Sequence, residues 1–269
     1  MNNRYIGVFD SGVGGLTAVK ELIRRLPGEN IVYFGDTGRV PYGTRSEETI
    51  LKYTRSDIRF LNTHDLKLIV VACGTVSAVA VPHIRGELAI PLLGVVEPTS
   101  LLACSTTKNG VVGIIGTNGT IKSGKYEATI HAINPNIQTV SAACPMFVPL
   151  AENNMANSEA AYLIAKDYLQ VFLERGVDTL ILGCTHYPLL APTIRRVLGP
   201  GVSLVDAGAA TASYVAQYLL ENNLLADTTK NEQYKFYVSD STSDFCKIAD
   251  LFLGRRIDNL VKQVDIERY

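Results

Sequence analysis

The 269-residue chain has no tryptophan, so a stacking platform for a base or sugar would have to use Tyr or Phe. It has almost no net charge, with 25 Lys plus Arg against 26 Asp plus Glu. No overall field concentrates a polyanion or an anionic membrane, and neither nucleic acid nor membrane is expected as a partner. Long apolar runs are missing too. The most apolar region, Leu88 to Val96, is split by Pro91 and falls short of the ~18 residues of a membrane span. Asp10 and Ser11 interrupt the first apolar stretch, which argues against a signal peptide and for a cytoplasmic protein. There is no C-x-x-C pair among Cys73, Cys104, Cys144, Cys184 and Cys246, and an odd, widely spaced set fits free thiols better than a disulfide framework. A linker rich in Gly, Ser or Pro is also absent, so a domain boundary has to be found another way.

What is present is ordinary globular composition, 47% hydrophobic and 19% charged, which excludes disorder and low-complexity scaffolds. Short apolar, β-branched runs alternate with segments of helical period, the pattern of an α/β protein with mostly parallel sheets. Strands are expected near Tyr5–Phe9, Ile31–Phe34, Leu68–Ala72, Leu92–Val95, Val111–Ile115, Thr139–Ser141, Thr179–Leu182, Ser203–Val205 and Phe236–Val238. Most are continuous apolar runs, as in strands covered on both faces. Helical spacing appears in Leu16, Val19, Leu22, Ile23 and Leu26, and again in Ile50, Tyr53, Ile58 and Leu61 after a Ser46-Glu47-Glu48 start. Further helices are expected from Thr75, Thr120, Ser158, Leu189 and Thr211, with Pro82 ending or kinking the first of these.

A degenerate internal repeat supplies the boundary. Ile6-Gly7-Val8-Phe9-Asp10-Ser11-Gly12 aligns with Val112-Gly113-Ile114-Ile115-Gly116-Thr117-Asn118 about 106 positions later. Leu68-Ile69-Val70-Val71-Ala72-Cys73 aligns with Thr179-Leu180-Ile181-Leu182-Gly183-Cys184 about 111 positions later. Two pseudo-symmetric, doubly wound halves are implied, each with one strand ending in a Ser or Thr turn and a later strand ending in Cys. Ligands of open α/β sheets bind beyond the carboxyl ends of strands, so facing halves would set Cys73 and Cys184 on opposite walls of one cleft.

A buried Cys at a strand end is commonly structural, and that reading stands for Cys104, Cys144 and Cys246. Cys73 and Cys184 differ because they occupy matching positions and have polar escorts, Thr75 and His186, within two residues. Two opposed thiols suit a reaction that removes a proton from one face of a carbon and returns one to the other. A thiol, with a reference pKa of ~8.5, can play either part once its surroundings tune it. His186 lies on the same side of an extended chain as Cys184 and could relay or stabilise charge. Asp10-Ser11-Gly12-Val13-Gly14-Gly15 reads as an anion-binding turn leading into a helix. A small carboxylate would fit its amides, with Asp10 holding an ammonium group or tuning Cys73. A dinucleotide fingerprint fails at Thr17, where Gly or Ala is required. The loop from Gly35 to Gly43 is too polar for a simple connection. No ligand pair around Cys73, Cys184 and His186 follows a zinc spacing, so no metal is expected.

Several stretches, Phe9-Asp10-Ser11-Gly12-Val13-Gly14-Gly15-Leu16, Gly35-Asp36-Thr37, Pro41-Tyr42-Gly43, Gly116-Thr117 with Gly119-Thr120-Ile121, Pro149-Leu150 with Glu152, and Gly183-Cys184-Thr185-His186-Tyr187-Pro188-Leu189-Leu190, carry a family resemblance. The chain resembles, over essentially its whole length, the cofactor-independent glutamate racemases of bacterial cell-wall synthesis, within the aspartate/glutamate racemase superfamily. The resemblance implies a two-domain enzyme that uses neither pyridoxal phosphate nor metal. It would interconvert L- and D-glutamate by two-base proton transfer at Cα, supplying D-glutamate for peptidoglycan. By position, Cys184 would deprotonate L-glutamate and Cys73 D-glutamate, with Asp10 assisting Cys73 and Glu152 and His186 assisting Cys184. Asp10, Ser11, Tyr42, Gly43, Gly74, Thr75, Thr185 and His186 would line the substrate site, with Thr117 nearby. A first domain of 1–96 plus 208–269 around a middle domain of 97–207 is implied, and so is a homodimer.

One departure matters. After the first cysteine the family has Asn, whose amide contacts the substrate, and this chain has Gly74. A lost hydrogen bond to a charged group is worth ~1.5–3 kcal/mol, roughly ten- to a hundredfold in binding or rate. Three readings follow: an active glutamate racemase, a weakened or non-catalytic homologue that binds an amino acid, and a racemase of aspartate or another amino acid.

Overall fold

All the expected strands form in the computed structural model, which describes residues 2–227 and 232–269. In chain order they are β1 (Tyr5–Asp10), β2 (Ile31–Gly35), β3 (Leu66–Val71), β4 (Leu92–Gly94), β5 (Val111–Gly116), β6 (Gln138–Ala143), β7 (Thr179–Leu182), β8 (Ser203–Asp206), β9 (Tyr234–Val238) and β10 (Val261–Gln263). Two wholly parallel sheets result, ordered β10-β9-β2-β1-β3-β4 and β6-β5-β7-β8. The sequence repeat is visible in that order, because β2-β1-β3-β4 of the first sheet reappears as β6-β5-β7-β8. Among the described residues, only β9 and β10 have no counterpart. Each sheet with its covering helices forms a lobe.

The helices are α1 (Leu16–Arg25), α2 (Glu47–Leu61), α3 (Gly74–Val79), α4 (Val81–Ile84), α5 (Val96–Thr106) and α6 (Asn118–Lys122). They continue as α7 (Lys125–Ile133), α8 (Phe147–Glu152), α9 (Glu159–Glu174), α10 (Ala191–Leu198), α11 (Ala207–Glu221) and α12 (Thr242–Leu253). Successive strand residues point to opposite faces, and both faces are covered. Ile6, Val8, Tyr33, Leu68 and Val70 bury against Leu16, Val19 and Leu22 of α1 and Phe245 and Phe252 of α12. Val32, Phe34, Ile69 and Val71 bury instead against Ile50, Ile58 and Leu61 of α2 and Val76 of α3. In the second lobe Leu180 and Leu182 meet α9 and α10, while Val112, Ile114 and Ile181 meet α5 and α7. This is the doubly wound arrangement expected of continuous apolar strands. α11 packs against both α1 and α5 and so joins the lobes.

Some boundaries differ from expectation for local reasons. The helix expected from Thr120 is two, since Gly124 adopts a left-handed φ of 60° between α6 and α7. The helix expected from Leu189 is preceded by a 3-10 turn over Tyr187–Leu190. α11 begins before Thr211, at Ala207, because the Asp206 side chain accepts from the Ala209 N–H and caps it. Pro82 stands in the first turn of α4, and α3 ends ahead of it at Val79.

Candidate active site

Asp10 ends β1, Cys73 follows β3, Thr117 follows β5 and Cys184 follows β7, so equivalent strand ends of the two sheets meet. Between them lies a cavity of about 280 Å³, lined by Ser11, Tyr42, Gly43, Cys73, Gly74, Thr75, Thr117, Glu152, Cys184, Thr185 and His186. Gly12, Val40, Pro41, Val148 and Gly183 complete the wall. Of the residues expected at the site, Asp10 alone is not on that wall. Larger cavities of about 500 and 490 Å³ open beside α5 and contain none of the expected residues.

On the first lobe, Cys73 Sγ lies 3.4 Å from Ser11 Oγ. Burial pushes this thiol up to about 12, with Asp10 adding to the rise and the Ser11 hydrogen bond opposing it. At neutral pH Cys73 is therefore a protonated thiol. Asp10 stands behind it, buried, and accepts hydrogen bonds from the Gly12 N–H at 2.9 Å and the Thr185 hydroxyl at 3.4 Å. Burial raises the Asp10 pKa, while the His186 charge and the Gly12, Gly15 and Thr185 hydrogen bonds oppose the rise.

The turn from Asp10 to Gly15 thus departs from the anion cradle read from its glycines. The Gly12 amide is occupied by the carboxylate of Asp10 itself. Gly14 is stacked so closely on the second lobe that a Cβ there would fall inside 3.0 Å of Thr185 Oγ1 and His186 Nδ1. Close packing requires that glycine. Thr17, where the dinucleotide pattern fails, has its Oγ1 2.9 Å from Gly14 O and 3.0 Å from Thr185 O, one hydroxyl hydrogen shared between a carbonyl of each lobe.

On the second lobe, Cys184 Sγ lies 3.8 Å from His186 Nδ1, and His186 Nε2 lies 2.9 Å from Glu152 Oε1. Burial disfavours the charged ring, yet its hydrogen bonds to Cys184 and Glu152 prevail and hold it up at about 10. The ring is an imidazolium at neutral pH, with both nitrogens donating. α8 delivers Glu152 from its last residue, and Phe147 at its start packs edge-on against Tyr187 with ring centroids 5.3 Å apart. Tyr187 in turn donates to Cys144 O at 2.9 Å, which gives the Cys144 segment a structural role.

The remaining wall is hydroxyl-rich. Thr117 Oγ1 lies 2.9 Å from Thr75 Oγ1 and 3.1 Å from Thr120 Oγ1. The Tyr42 hydroxyl is engaged inside the first lobe, donating to Asp36 and, at 3.2 Å, to Asp57. Arg39 bridges the same two carboxylates at 2.6 and 2.7 Å. Burial, with Asp36 beside it, raises the Asp57 pKa well above the carboxylate range. Sequence reasoning missed Asp57, although a signal exists: it falls on the inward stripe of α2 with Ile50, Thr54 and Leu61, all buried. All five cysteines are free. Among the described residues no group of three or more His, Cys, Asp or Glu is placed to hold a metal ion, and no helix is long and apolar enough to cross a membrane.

Residues 7–215 match the family model described as Asp/Glu/Hydantoin racemase. The chain is 48% identical over 262 residues to the glutamate racemase of Geobacter metallireducens, covering 97% of each chain. Among solved structures it is similar to the glutamate racemase isoform RacE1 of Bacillus anthracis, with a TM-score of 0.95, 39% identity and 98% of each chain covered. It is also similar to the glutamate racemase of Francisella tularensis in complex with D-glutamate, with a TM-score of 0.93, 38% identity and 100% of each chain covered. Matching strand ends that each deliver a thiol to one cavity, and similarity along nearly the full length, lead to one assignment: the chain belongs to the Asp/Glu/Hydantoin racemase family and is an isomerase.

Proposed function

We infer that this isomerase interconverts L- and D-glutamate without a cofactor, by two-base proton transfer between Cys184 and Cys73. The observation that carries the reading is that both thiols line one cavity of about 280 Å³ in opposite electrostatic settings. The relatives' names supply the substrate, and the Francisella protein is described with D-glutamate bound.

From L-glutamate, the Cys184 thiolate takes the Cα proton. The C–H bond breaks, an S–H bond forms and the electron pair stays on the carbon, delocalised into its carboxylate. The His186 imidazolium, 3.8 Å from Cys184 Sγ, sits where it offsets the thiolate charge before the transfer. Cys73, protonated, then delivers its proton to the opposite face, leaving D-glutamate, a Cys184 thiol and a Cys73 thiolate. The same steps run backward from D-glutamate, and exchange with water resets the two sulfurs. Ser11 beside Cys73, and the hydroxyls of Thr75, Thr117 and Thr185, stabilise charge that develops on sulfur and on the substrate carboxylates.

The reading extends to a first domain of 1–96 plus 208–269 around a middle domain of 97–207, supported by the membership of the two sheets. It extends also, on the family resemblance, to a cytoplasmic homodimer that supplies D-glutamate for peptidoglycan; sedimentation of the purified protein tests the dimer. The deciding experiment is incubation with L-glutamate in D2O, followed by circular dichroism and proton NMR. Loss of optical activity with deuterium at Cα is expected. Inversion without deuterium uptake would overturn the two-thiol route, and no inversion of glutamate would overturn the substrate.

A further inference from the structure

Gly74 opens α3 directly after Cys73, and Gly183 follows β7 directly before Cys184. These two glycines are where the thiol-bearing turns touch. A Cβ on Gly74 would fall well inside 3.0 Å of the Gly183 carbonyl oxygen and 3.2 Å from its carbon. The blocking atoms are backbone, so no rotamer change makes room.

Neither backbone is free to retreat within its own lobe. The Gly183 N–H donates to Ile115 O at 2.8 Å. A Cβ on Gly183 would meet that same oxygen at 2.7 Å and Tyr126 Cε2 at 3.2 Å, so its far side is packed too. Cys73 O, one residue before Gly74, accepts from Ser77 N at 2.9 Å and fixes the first turn of α3. Room for a side chain at position 74 therefore comes only from moving one lobe away from the other. That movement would also stretch the other contacts between lobes around the cavity, Gly119 N to Gly43 O at 2.9 Å and Thr17 Oγ1 to Thr185 O at 3.0 Å.

The geometry points to Gly74 as a positioning residue, a side-chain-free spacer that lets the two thiol-bearing turns close directly onto each other. This rests on the racemase reading above, and it reverses the expectation that Gly74 is merely a missing substrate contact. Any residue with a Cβ would hold the turns apart by roughly 1 Å, a displacement that can cost on the order of a hundredfold in rate when reacting groups must be aligned.

The test compares the wild-type protein with Gly74→Ala and Gly74→Asn. The alanine adds bulk without an amide, so it separates spacing from hydrogen bonding. With L- and D-glutamate, kcat is expected to fall by about tenfold or more in both variants, with KM moving less. A second readout needs no turnover: a short reagent that bridges two thiols, with the Cys73–Cys184 product measured by mass spectrometry. Bridging should slow several-fold in Gly74→Ala, while single labelling of each thiol stays as in the wild type. The proposal is overturned if Gly74→Asn raises kcat/KM, or if Gly74→Ala leaves kcat and bridging unchanged. It is also overturned if Gly74→Ala fails to fold, because the lobes and not their individual folds are expected to yield. If the wild-type protein does not turn over glutamate but bridging still slows in Gly74→Ala, the substrate reading falls and the spacing role stands.

Discussion

The hydroxyl of Thr17 lies 3.0 Å from the carbonyl of Thr185, so the helix that follows the Asp10 turn is tied to the turn that carries Cys184. The approach of the two lobes is thus held by direct contacts between the segments that carry the chemistry. Thr17→Val preserves shape and removes the hydroxyl. It is expected to lower stability by about 1–2 kcal/mol, read as a lower urea midpoint with an unchanged slope. An unchanged midpoint would show that the contact adds nothing to stability.

Removing either thiol isolates its part. Cys73→Ala and Cys184→Ala are each expected to lower racemisation by at least ~10², the usual contribution of a positioned acid or base. Because burial holds the Cys73 thiol at about 12, its alkylation in the wild-type protein should be slow near neutral pH and accelerate steadily into the alkaline range. Fast neutral labelling of Cys73 would contradict the assigned protonated state.

The His186 and Glu152 pair predicts a pH dependence. The folded pKa of His186, about 10, lies above the ~6.5 of a free imidazole, so between those values the folded state keeps a proton that the unfolded state releases. The stabilisation is complete below about pH 6.5 and is lost as pH rises through about 10. Glu152→Gln should reduce this slope and His186→Asn should abolish it, as measured by urea midpoints across that window. Identical slopes in all three proteins would refute the assignment. In both variants kcat from L-glutamate should fall more than kcat from D-glutamate, since the support lies beside Cys184.

Asp57 offers a test of the Tyr42 loop. Its Oδ1 accepts from Arg39 at 2.7 Å and its Oδ2 from the Tyr42 hydroxyl at 3.2 Å, and an amide keeps one of those acceptors, so Asp57→Asn should destabilise less than a variant that removes both. Asp57→Leu removes one of the two buried carboxylates that Arg39 and Tyr42 share and should destabilise by ~1–3 kcal/mol, with KM for glutamate rising more than kcat falls. Equal behaviour of the two variants would show that the buried hydrogen bonds do not hold the loop.

The strand ends bearing Asp10, Cys73, Thr117 and Cys184 are legible in sequence because continuous apolar runs stop at turn formers, and because the run is written twice. Glu152 is legible only through family resemblance. It ends α8, a helix of 6 residues, too short to show a period. The edge strand β10 escapes because its Val261-Lys262-Gln263 is short and largely exposed, as edge strands commonly are. The crowding at Gly14 and Gly74 escapes for another reason. It depends on how near the lobes come, and no local pattern encodes that distance.

The copied strand order gives each thiol the same backbone setting, but its neighbours differ: Ser11 and Asp10 on one side, His186 and Glu152 on the other. Two enantiomers have equal free energies in water, so an enzyme that interconverts them ends at an equal mixture whatever surrounds its active atoms. The unequal flanks can therefore set only how tightly each enantiomer binds and how fast the saturated enzyme works in each direction. The ratio kcat/KM must stay equal for the two hands of the substrate. A substitution that weakens one flank has to slow both directions by the same factor at low substrate, however lopsided its effect at saturation.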